Sequence, residues 1–165
     1  MPLKFIIQNN IMKAVDGILT SYNFKSEQDR SIAGVLSLAA NIESYAEGIL
    51  QPYNITLRQY RIMRQLRILY PDMIAVSDLR EYVIHKKADV SRMAERLVRT
   101  GWLEKITCEK DKRVTYVKIT QQGIGLMNMI EPLEKNFSKP INILTDANLG
   151  QFNEYIELML GSFSN

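Results

Sequence analysis

The sequence predicts a mainly α-helical fold that contains one small β-hairpin. Apolar residues recur at three- and four-residue spacing over most of the 165 residues, and this spacing is typical of amphipathic helices. Clean alternation of side chains is confined to residues 114–119, and a strand-like segment at 102–108 precedes it. A polar loop of hairpin length, 109–113, joins the two segments. The expected architecture is therefore one hairpin among helices.

The positive charge is concentrated in the middle of the chain. Residues 55–120 hold 15 Lys and Arg against 8 Asp and Glu, whereas the remainder holds 6 basic and 10 acidic residues. A basic centre between mildly acidic flanks indicates one module that faces a polyanion. No stretch combines a cationic face with exposed Trp and Phe, so nucleic acid is a better candidate partner than a membrane surface.

Composition argues against several other classes of protein. No apolar run approaches the roughly 20 residues of a membrane span, and the first ten residues lack the features of a signal peptide, so we expect a cytoplasmic protein. Cys108 and His85 are the only residues of their types, and one of each cannot supply the about four ligands of a zinc site. No acid–base pair or phosphate loop is evident, so we expect neither an enzyme nor a cofactor.

Predicted helical segments, several of which end or bend at a proline, account for most of the chain. The predicted helices are 4–22, 29–50, 56–70, 77–83, 86–101, 120–136 and 145–163. Thr56-Leu-Arg-Gln59 has the form of a capping box at the start of the third. Pro52 and Pro71 should end the helices before them, and Pro132 should bend the sixth.

The helix at 86–101 carries the strongest functional signal. Its apolar face consists of Val90, Met93, Ala94, Leu97 and Val98, and roughly opposite lie Ala88, Arg92, Glu95, Arg96 and Arg99. Gly101 fits the left-handed end of a helix. Short Ser, Ala and Arg side chains in the first turns suit base edges in a major groove, and Lys86 and Lys87 suit phosphates. A solvated amphipathic surface helix is the alternative interpretation.

The segments on either side of this helix complete a DNA-binding pattern. A short helix capped by Ser77, a tight turn at 84–87 and the basic helix form a helix-turn-helix. The hairpin that follows has a tip bearing Lys110, Lys112 and Arg113, which suits a minor groove or adjacent phosphates. Asp111 is placed to hold Arg113 by a charge-assisted hydrogen bond. For the loop alone, a solvated turn is the alternative.

The first and last helices display more apolar surface than a central module of this size could cover. Exposed apolar patches beyond several hundred Å² normally mark an interface. We therefore expect homodimerisation through the termini. The predicted division is 1–54 for N-terminal dimerisation helices, 55–120 for the DNA-binding domain and 121–165 for C-terminal dimerisation helices.

The order and spacing of these motifs resemble those of MarR-type winged-helix transcriptional regulators across residues 32–163. The matching stretches are Ile55-Thr-Leu-Arg-Gln-Tyr, Val76-Ser-Asp-Leu79, Val90-Ser-Arg-Met-Ala-Glu-Arg-Leu-Val-Arg-Thr-Gly-Trp-Leu103, Asp111-Lys-Arg113, Ile119-Thr-Gln-Gln-Gly123 and Leu144-Thr-Asp146. The resemblance implies a winged helix-turn-helix lobe and a homodimer whose terminal helices interleave. Such a dimer binds a pseudo-palindrome in double-stranded DNA. Many members repress genes and release DNA when a small amphipathic or aromatic effector binds.

The predicted DNA-binding residues combine these lines of reasoning. They are Lys86, Lys87, Ala88, Asp89, Ser91, Arg92 and Arg96 on the recognition helix, with Lys110, Asp111, Lys112 and Arg113 on the wing. By resemblance, Arg113 is the minor-groove residue and Asp111 orients it. Lys86 and Lys87 stand where the family commonly has Ser or Thr, so the helix lacks its usual cap. An architectural or protein-interaction module without a specific operator is the alternative function.

Overall fold

The computed structural model describes residues 23–82, 90–107, 111 and 114–163. Contacts between Cα atoms divide the chain into two compact units, Met1–Ala46 and Glu47–Asn165. Within the described residues, no helix has both the length and the apolar character of a membrane span. The helix predicted at 4–22 lies outside the described residues, as do His85 and Cys108.

Helix α1 spans Glu27–Leu50 and confirms the helix predicted at 29–50. It begins two residues earlier because the Asp29 N–H donates a hydrogen bond to Ser26 Oγ at 3.1 Å, which satisfies one of the free backbone donors at a helix start. Large apolar side chains remain exposed along it: Ile32, Val35, Leu36 and Leu38. A short 3-10 turn, Gln51–Tyr53, follows the helix at Pro52 as predicted.

Helix α2 spans Leu57–Leu69 and begins with the predicted capping box. The Thr56 N–H donates to Gln59 Oε1 at 3.0 Å, and the Gln59 N–H donates to Thr56 Oγ1 at 3.3 Å. A third backbone donor, the Leu57 N–H, is satisfied by Glu47 Oε1 at 2.9 Å. The helix ends just before Pro71, whose ring is incompatible with continued helix.

A three-stranded antiparallel sheet follows, with the order β1-β3-β2. The strands are β1 (Ile74–Ala75), β2 (Leu103–Thr107) and β3 (Thr115–Ile119). Strands β2 and β3 form the predicted hairpin, in register from Leu103 opposite Ile119. Strand β1 extends this hairpin to three strands by pairing with β3. The sequence predicted an extended piece there but not its pairing partner.

The short helix expected at 77–83 is a 3-10 helix over Asp78–Tyr82. The spacing of Leu79, Tyr82 and Val83 predicts that all three face inward. Leu79 is fully buried, but Tyr82 is 40% exposed, and Val83 lies outside the described residues. The inward orientation predicted for Tyr82 is therefore wrong. A 3-10 segment of this length brings one side chain into the core, and the Tyr hydroxyl tolerates an exposed position because water solvates it.

Helix α3 (Val90–Arg99) precedes the hairpin, and three helices follow it. They are α4 (Gln121–Ile130), α5 (Glu134–Phe137) and α6 (Asp146–Gly161). Thr120 and Thr145 cap α4 and α6, each accepting a hydrogen bond from the backbone N–H three residues on. Between α4 and α5 the chain tightens into a 3-10 turn, Glu131–Leu133. The sequence predicted one helix over 120–136 that bends at Pro132, whereas the structure interrupts the helix there, because the proline ring clashes with the preceding turn.

The core of the unit Glu47–Asn165 is built from all the elements that surround α3. Its fully buried side chains include Ile62, Met63 and Leu66 of α2, Leu97 of α3, Val117 and Ile119 of β3, and Met127 and Ile130 of α4. Each such side chain contributes roughly 1.5–3 kcal/mol by leaving water. Helices α2, α3 and α4 and the hairpin therefore share a single core.

Gly123 lies at a close approach between two backbone segments in this core. A Cβ at this position would lie 2.3 Å from the Trp102 carbonyl oxygen, 2.8 Å from Ile119 Cγ1 and 3.0 Å from Met63 Cε. The backbone oxygen belongs to the turn that leads into β2 and cannot rotate away. Only glycine lets α4 pack this closely against the base of the hairpin.

We predict that Gly123→Ala lowers the free energy of unfolding by about 1–3 kcal/mol, because the added methyl group overpacks the core. Gly125→Ala in the same helix is the matched control, since a Cβ there meets nothing within 4 Å and alanine favours helix by roughly 0.5–1 kcal/mol. Urea unfolding measures both. Equal stability of the two variants would contradict the close packing at Gly123.

Candidate nucleic-acid interface

Helix α3 has one face in the core and one face in solvent. Val90, Ala94 and Leu97 are buried, which confirms the predicted apolar face. The opposite side is exposed and carries Ser91, Arg92, Glu95, Arg96 and Arg99. Burial at every third or fourth residue fixes the rotation of the helix about its axis. The polar and cationic side chains are therefore held outward as a set.

The end of α3 is closed by backbone geometry that the sequence predicted at Gly101. Gly101 has a φ of +78°, and its N–H donates to the Val98 carbonyl at 3.0 Å. The Trp102 N–H donates to the Leu97 carbonyl at 3.1 Å. This pair of bonds is a Schellman motif, which satisfies two carbonyls of the last turn and reverses the chain. The reversal sends the chain directly into β2.

Thr120 ties the end of α3 to the base of the hairpin. Its Oγ1 donates to the Gly101 carbonyl at 2.7 Å and accepts from the Gly123 N–H at 3.1 Å. Its own N–H donates to the Trp102 carbonyl at 3.0 Å. One residue thus connects the end of α3, the start of β2 and the start of α4. Sequence reasoning identified Thr120 only as a helix start, because its other partners lie 18 and 19 residues away.

The hairpin carries charged residues on its strands as well as in its loop. Lys118 Nζ lies 2.6 Å from Glu104 Oε1, and these two residues face each other in the strand register. Cross-strand ion pairs of this kind help to fix register. In the loop, the Val114 N–H donates to the Asp111 carbonyl at 2.9 Å. This bond lies just before β3.

A groove of about 450 Å³ lies between α3 and the sheet. Ser91, Glu95 and Val98 line it on the helix side, and Lys105 and Thr115 line it on the sheet side. Across the described residues, no three His, Cys, Asp or Glu side chains are grouped closely enough to hold a metal ion. The groove lining combines the polar side chains of Ser91, Glu95, Lys105 and Thr115 with valine side chains.

The match to a known protein family covers the elements just described. A sequence model of the transcriptional regulator SarA/Rot family matches residues 44–130, from the end of α1 to the end of α4. This is more than half of the chain. The chain belongs to the SarA/Rot family of transcriptional regulators.

Curated relatives of this SarA/Rot family member are also regulators. The HTH-type transcriptional regulator PecS of Dickeya dadantii is 24% identical over 101 residues, which are 60% of this chain and 61% of PecS. The multiple antibiotic resistance protein MarR of Escherichia coli is 29% identical over 84 residues, 51% of this chain and 57% of MarR. The chain thus spans about three-fifths or less of the length of these relatives.

Solved structures confirm the MarR-type winged-helix fold of this SarA/Rot family member. AbsC, a MarR family regulator from Streptomyces coelicolor, aligns with a TM-score of 0.74 and 18% identity over 87% of this chain and 99% of AbsC. A mutant MarR from E. coli in complex with operator DNA aligns with a TM-score of 0.68 and 20% sequence identity. The alignment covers 76% of this chain and 90% of the MarR chain. MepR from S. aureus in a DNA complex aligns with a TM-score of 0.70 and 18% sequence identity. The alignment covers 78% of this chain and 94% of the MepR chain.

The structure describes four of the residues predicted to contact DNA. Ser91, Arg92 and Arg96 are exposed on α3, and Asp111 is exposed in the hairpin loop. The other predicted positions lie outside the described residues: Lys86, Lys87, Ala88, Asp89, Lys110, Lys112 and Arg113. The hydrogen bond predicted between Asp111 and Arg113 therefore stays a prediction.

We predict that the two faces of α3 differ sharply in their effect on stability. Leu97→Ala should lower the free energy of unfolding by about 2–5 kcal/mol, because Leu97 is fully buried and its loss leaves a cavity. Arg96→Ala, the adjacent exposed position, should change it by no more than about 0.5 kcal/mol. Urea unfolding measures both. A large effect of Arg96→Ala would show that its side chain supports the fold.

Proposed function

We propose that this SarA/Rot family member is a sequence-specific regulator that binds double-stranded DNA as a homodimer on a pseudo-palindromic operator. The observation that carries the proposal is α3, whose Ser91, Arg92 and Arg96 project outward while its opposite face is locked into the core. A rigid helix with short polar and Arg side chains in its first turns is suited to a major groove. No catalytic role is part of the proposal.

The proposed contacts divide between bases and phosphates. Ser91 and Arg92, in the first turn of α3, are assigned to base edges together with Ala88 and Asp89. Arg96, Lys86 and Lys87 are assigned to phosphates, because arginine and lysine contacts to phosphate oxygens set the position of a protein on the duplex. Lys110, Lys112 and Arg113 of the wing are assigned to the adjacent backbone and minor groove, with Asp111 orienting Arg113.

Exposed apolar side chains on α1 and α6 support the proposed homodimer. Leu36 on α1 is 66% exposed and Leu158 on α6 is 72% exposed. Further exposed apolar residues on the same two helices are Ile32, Val35, Leu38, Tyr155, Met159 and Leu160. Apolar surface of this extent favours burial against another protein surface. A second copy of the same chain supplies the matching surface and pairs two DNA-reading helices.

Repression and release by a small amphipathic or aromatic effector complete the proposal. Both rest on the resemblance to MarR-type regulators, as does a cytoplasmic location where DNA is accessible. Release is tested by titrating aromatic carboxylic acids into the protein–DNA complex and measuring the bound fraction. If no such compound changes the bound fraction, ligand control of this kind is excluded while DNA binding stands.

Selection of bound sequences from a random duplex library tests the central proposal. We expect one half-site motif repeated in inverted orientation with centres about one helical turn, roughly 34 Å, apart. The selected duplex should outcompete random duplex by about a thousandfold or more. Equal competition by random duplex would instead favour an architectural or protein-interaction module.

We predict distinct effects of two arginine substitutions on DNA binding. Arg113→Ala should weaken binding to every duplex that contains the site and lower the slope of log K against log salt by about one ion per subunit. Arg92→Ala should change which sequence is preferred, because a base contact is lost. Salt titrations and repeated selection measure these effects. An unchanged slope for Arg113→Ala would refute its contact with the DNA backbone.

We predict that a charge on the exposed apolar faces disrupts the dimer. Leu36→Glu and Leu158→Glu should each shift the mass in light scattering toward one chain and weaken operator binding, because a carboxylate is costly to bury without a partner. Ser44→Glu on α1 and Asn153→Glu on α6 alter exposed polar positions and serve as matched controls. A dimer unaffected by both leucine variants would place the interface elsewhere.

A further inference from the structure

Three side chains of α2 form a hydrogen bond and ion pairs with the segment that follows α4. Tyr60, Arg64 and Arg67 are spaced four and three residues apart, so they lie along one face of the helix. All three contact residues 131–137, here called the exit segment, in which the chain passes through its 3-10 turn and α5. The elements on both sides of this contact belong to the unit Glu47–Asn165.

Tyr60 forms the buried part of this contact. Its hydroxyl donates to Glu134 Oε1 at 2.5 Å, its ring meets Phe137 edge-on with centroids 5.3 Å apart, and the residue is only 4% exposed. Burial, followed by the hydrogen bond and negative charge of Glu134, raises the pKa of Tyr60 far above its usual value of 10. The Tyr60 hydroxyl is thus the hydrogen-bond donor and the Glu134 carboxylate the acceptor in this contact.

Arg64 and Arg67 add two ion pairs to the same segment. Arg64 Nε lies 3.6 Å from Glu134 Oε1, and Arg67 Nη2 lies 3.2 Å from Glu131 Oε2. Arg67 Nη1 also donates to the Ile124 carbonyl in α4 at 3.3 Å. Exposed ion pairs add little stability singly, but these pairs bracket Pro132, where the helix is broken. The broken helix is thus held from α2 on both sides of the break.

A series of hydrogen-bonded turns connects the exit segment to the start of α6. The Lys139 N–H donates to the Asn136 carbonyl, and the Ile141 N–H donates to the Ser138 carbonyl. The Leu144 N–H donates to the Ile141 carbonyl at 3.1 Å, next to the Thr145 cap of α6. The direction in which α6 leaves the DNA-binding elements therefore depends on how the exit segment is held.

We propose that Tyr60, Arg64 and Arg67 form a latch with Glu131 and Glu134 that fixes the direction of α6 and so sets the spacing between half-sites that the dimer accepts. The inference rests on the proposed function, in which α6 contributes to the dimer and each copy reads one half-site. The five side chains are positioning residues and touch no DNA in this scheme. Loosening the latch should relax spacing selectivity without changing the half-site sequence that is read.

The variants that test the latch keep side-chain size. Tyr60→Phe removes only the hydroxyl and leaves the ring against Phe137, and Glu134→Gln removes the charge that faces Arg64. Arg58→Gln is the matched control, since Arg58 is an exposed arginine on the same helix outside the latch contacts. Each variant is compared on duplexes in which the two selected half-sites are separated by the optimal spacing or by one or two base pairs more or less.

We predict that wild-type protein and Arg58→Gln bind one spacing more tightly than the others. In Tyr60→Phe and Glu134→Gln the ratio of affinities for the optimal and the altered spacings should fall by about three- to tenfold. This is the range expected for the loss of one hydrogen bond. The double variant should lose at least as much as the stronger single variant, because Tyr60→Phe removes the hydrogen bond to Glu134 and Glu134→Gln removes the charge that faces Arg64. Selection from a random library should return the wild-type half-site for all variants.

The outcomes separate this inference from the proposed function. If wild-type protein shows no inverted half-sites or no spacing preference, the proposed function fails and the latch fails with it. If wild type has a sharp preference and Tyr60→Phe and Glu134→Gln both retain it while folded, as judged by circular dichroism, only the latch is refuted. If Tyr60→Phe does not fold, the Glu134→Gln profile decides between the two results.

Discussion

The arrangement of this fold depends on the contact between α4 and the turn that leaves α3. Gly123 approaches the Trp102 carbonyl more closely than any side chain would allow, and Thr120 Oγ1 bonds both to that turn and to the first turn of α4. Because Gly101 and Trp102 also close α3, one small junction fixes α3, the hairpin and α4 relative to one another. A helix that reads DNA needs such a fixed base, since positional errors near 1 Å misalign bidentate contacts.

Stability and recognition are separated on α3 by the geometry of this junction. Leu97 is buried and its carbonyl is used in the Schellman motif, so the inward side holds both the packing and the helix end. Arg92 and Arg96 lie on the exposed side. The net positive charge of residues 55–120 can therefore serve attraction to DNA without entering the core.

Local signals in the sequence predicted much of this structure. The capping box of Thr56 and Gln59 and the left-handed Gly101 were predicted, because each depends on residues within a few positions. Pro132 was correctly identified as a distortion, but as a bend and not as the 3-10 turn that the structure shows. The pairing of β1 with β3 could not be predicted, because two residues carry no periodicity. The contact of Tyr60 with Glu134 spans 74 residues, and no pattern along the chain indicates it. Among the candidate site residues, the exposure of Ser91, Arg92 and Arg96 followed from helical periodicity alone.

The distinction between buried packing positions and exposed positions also explains how this chain shares a fold with its structural neighbours at low sequence identity. Identities of 18–20% accompany TM-scores of 0.68–0.74 in the three neighbours described, so most side chains differ while the path of the chain persists. Cores accept many hydrophobic substitutions if volume and pattern are kept, whereas a glycine under a carbonyl and a threonine that bridges two turns admit few replacements. The exposed positions of α3 lie outside this core, so the packing that fixes the fold does not dictate their side chains.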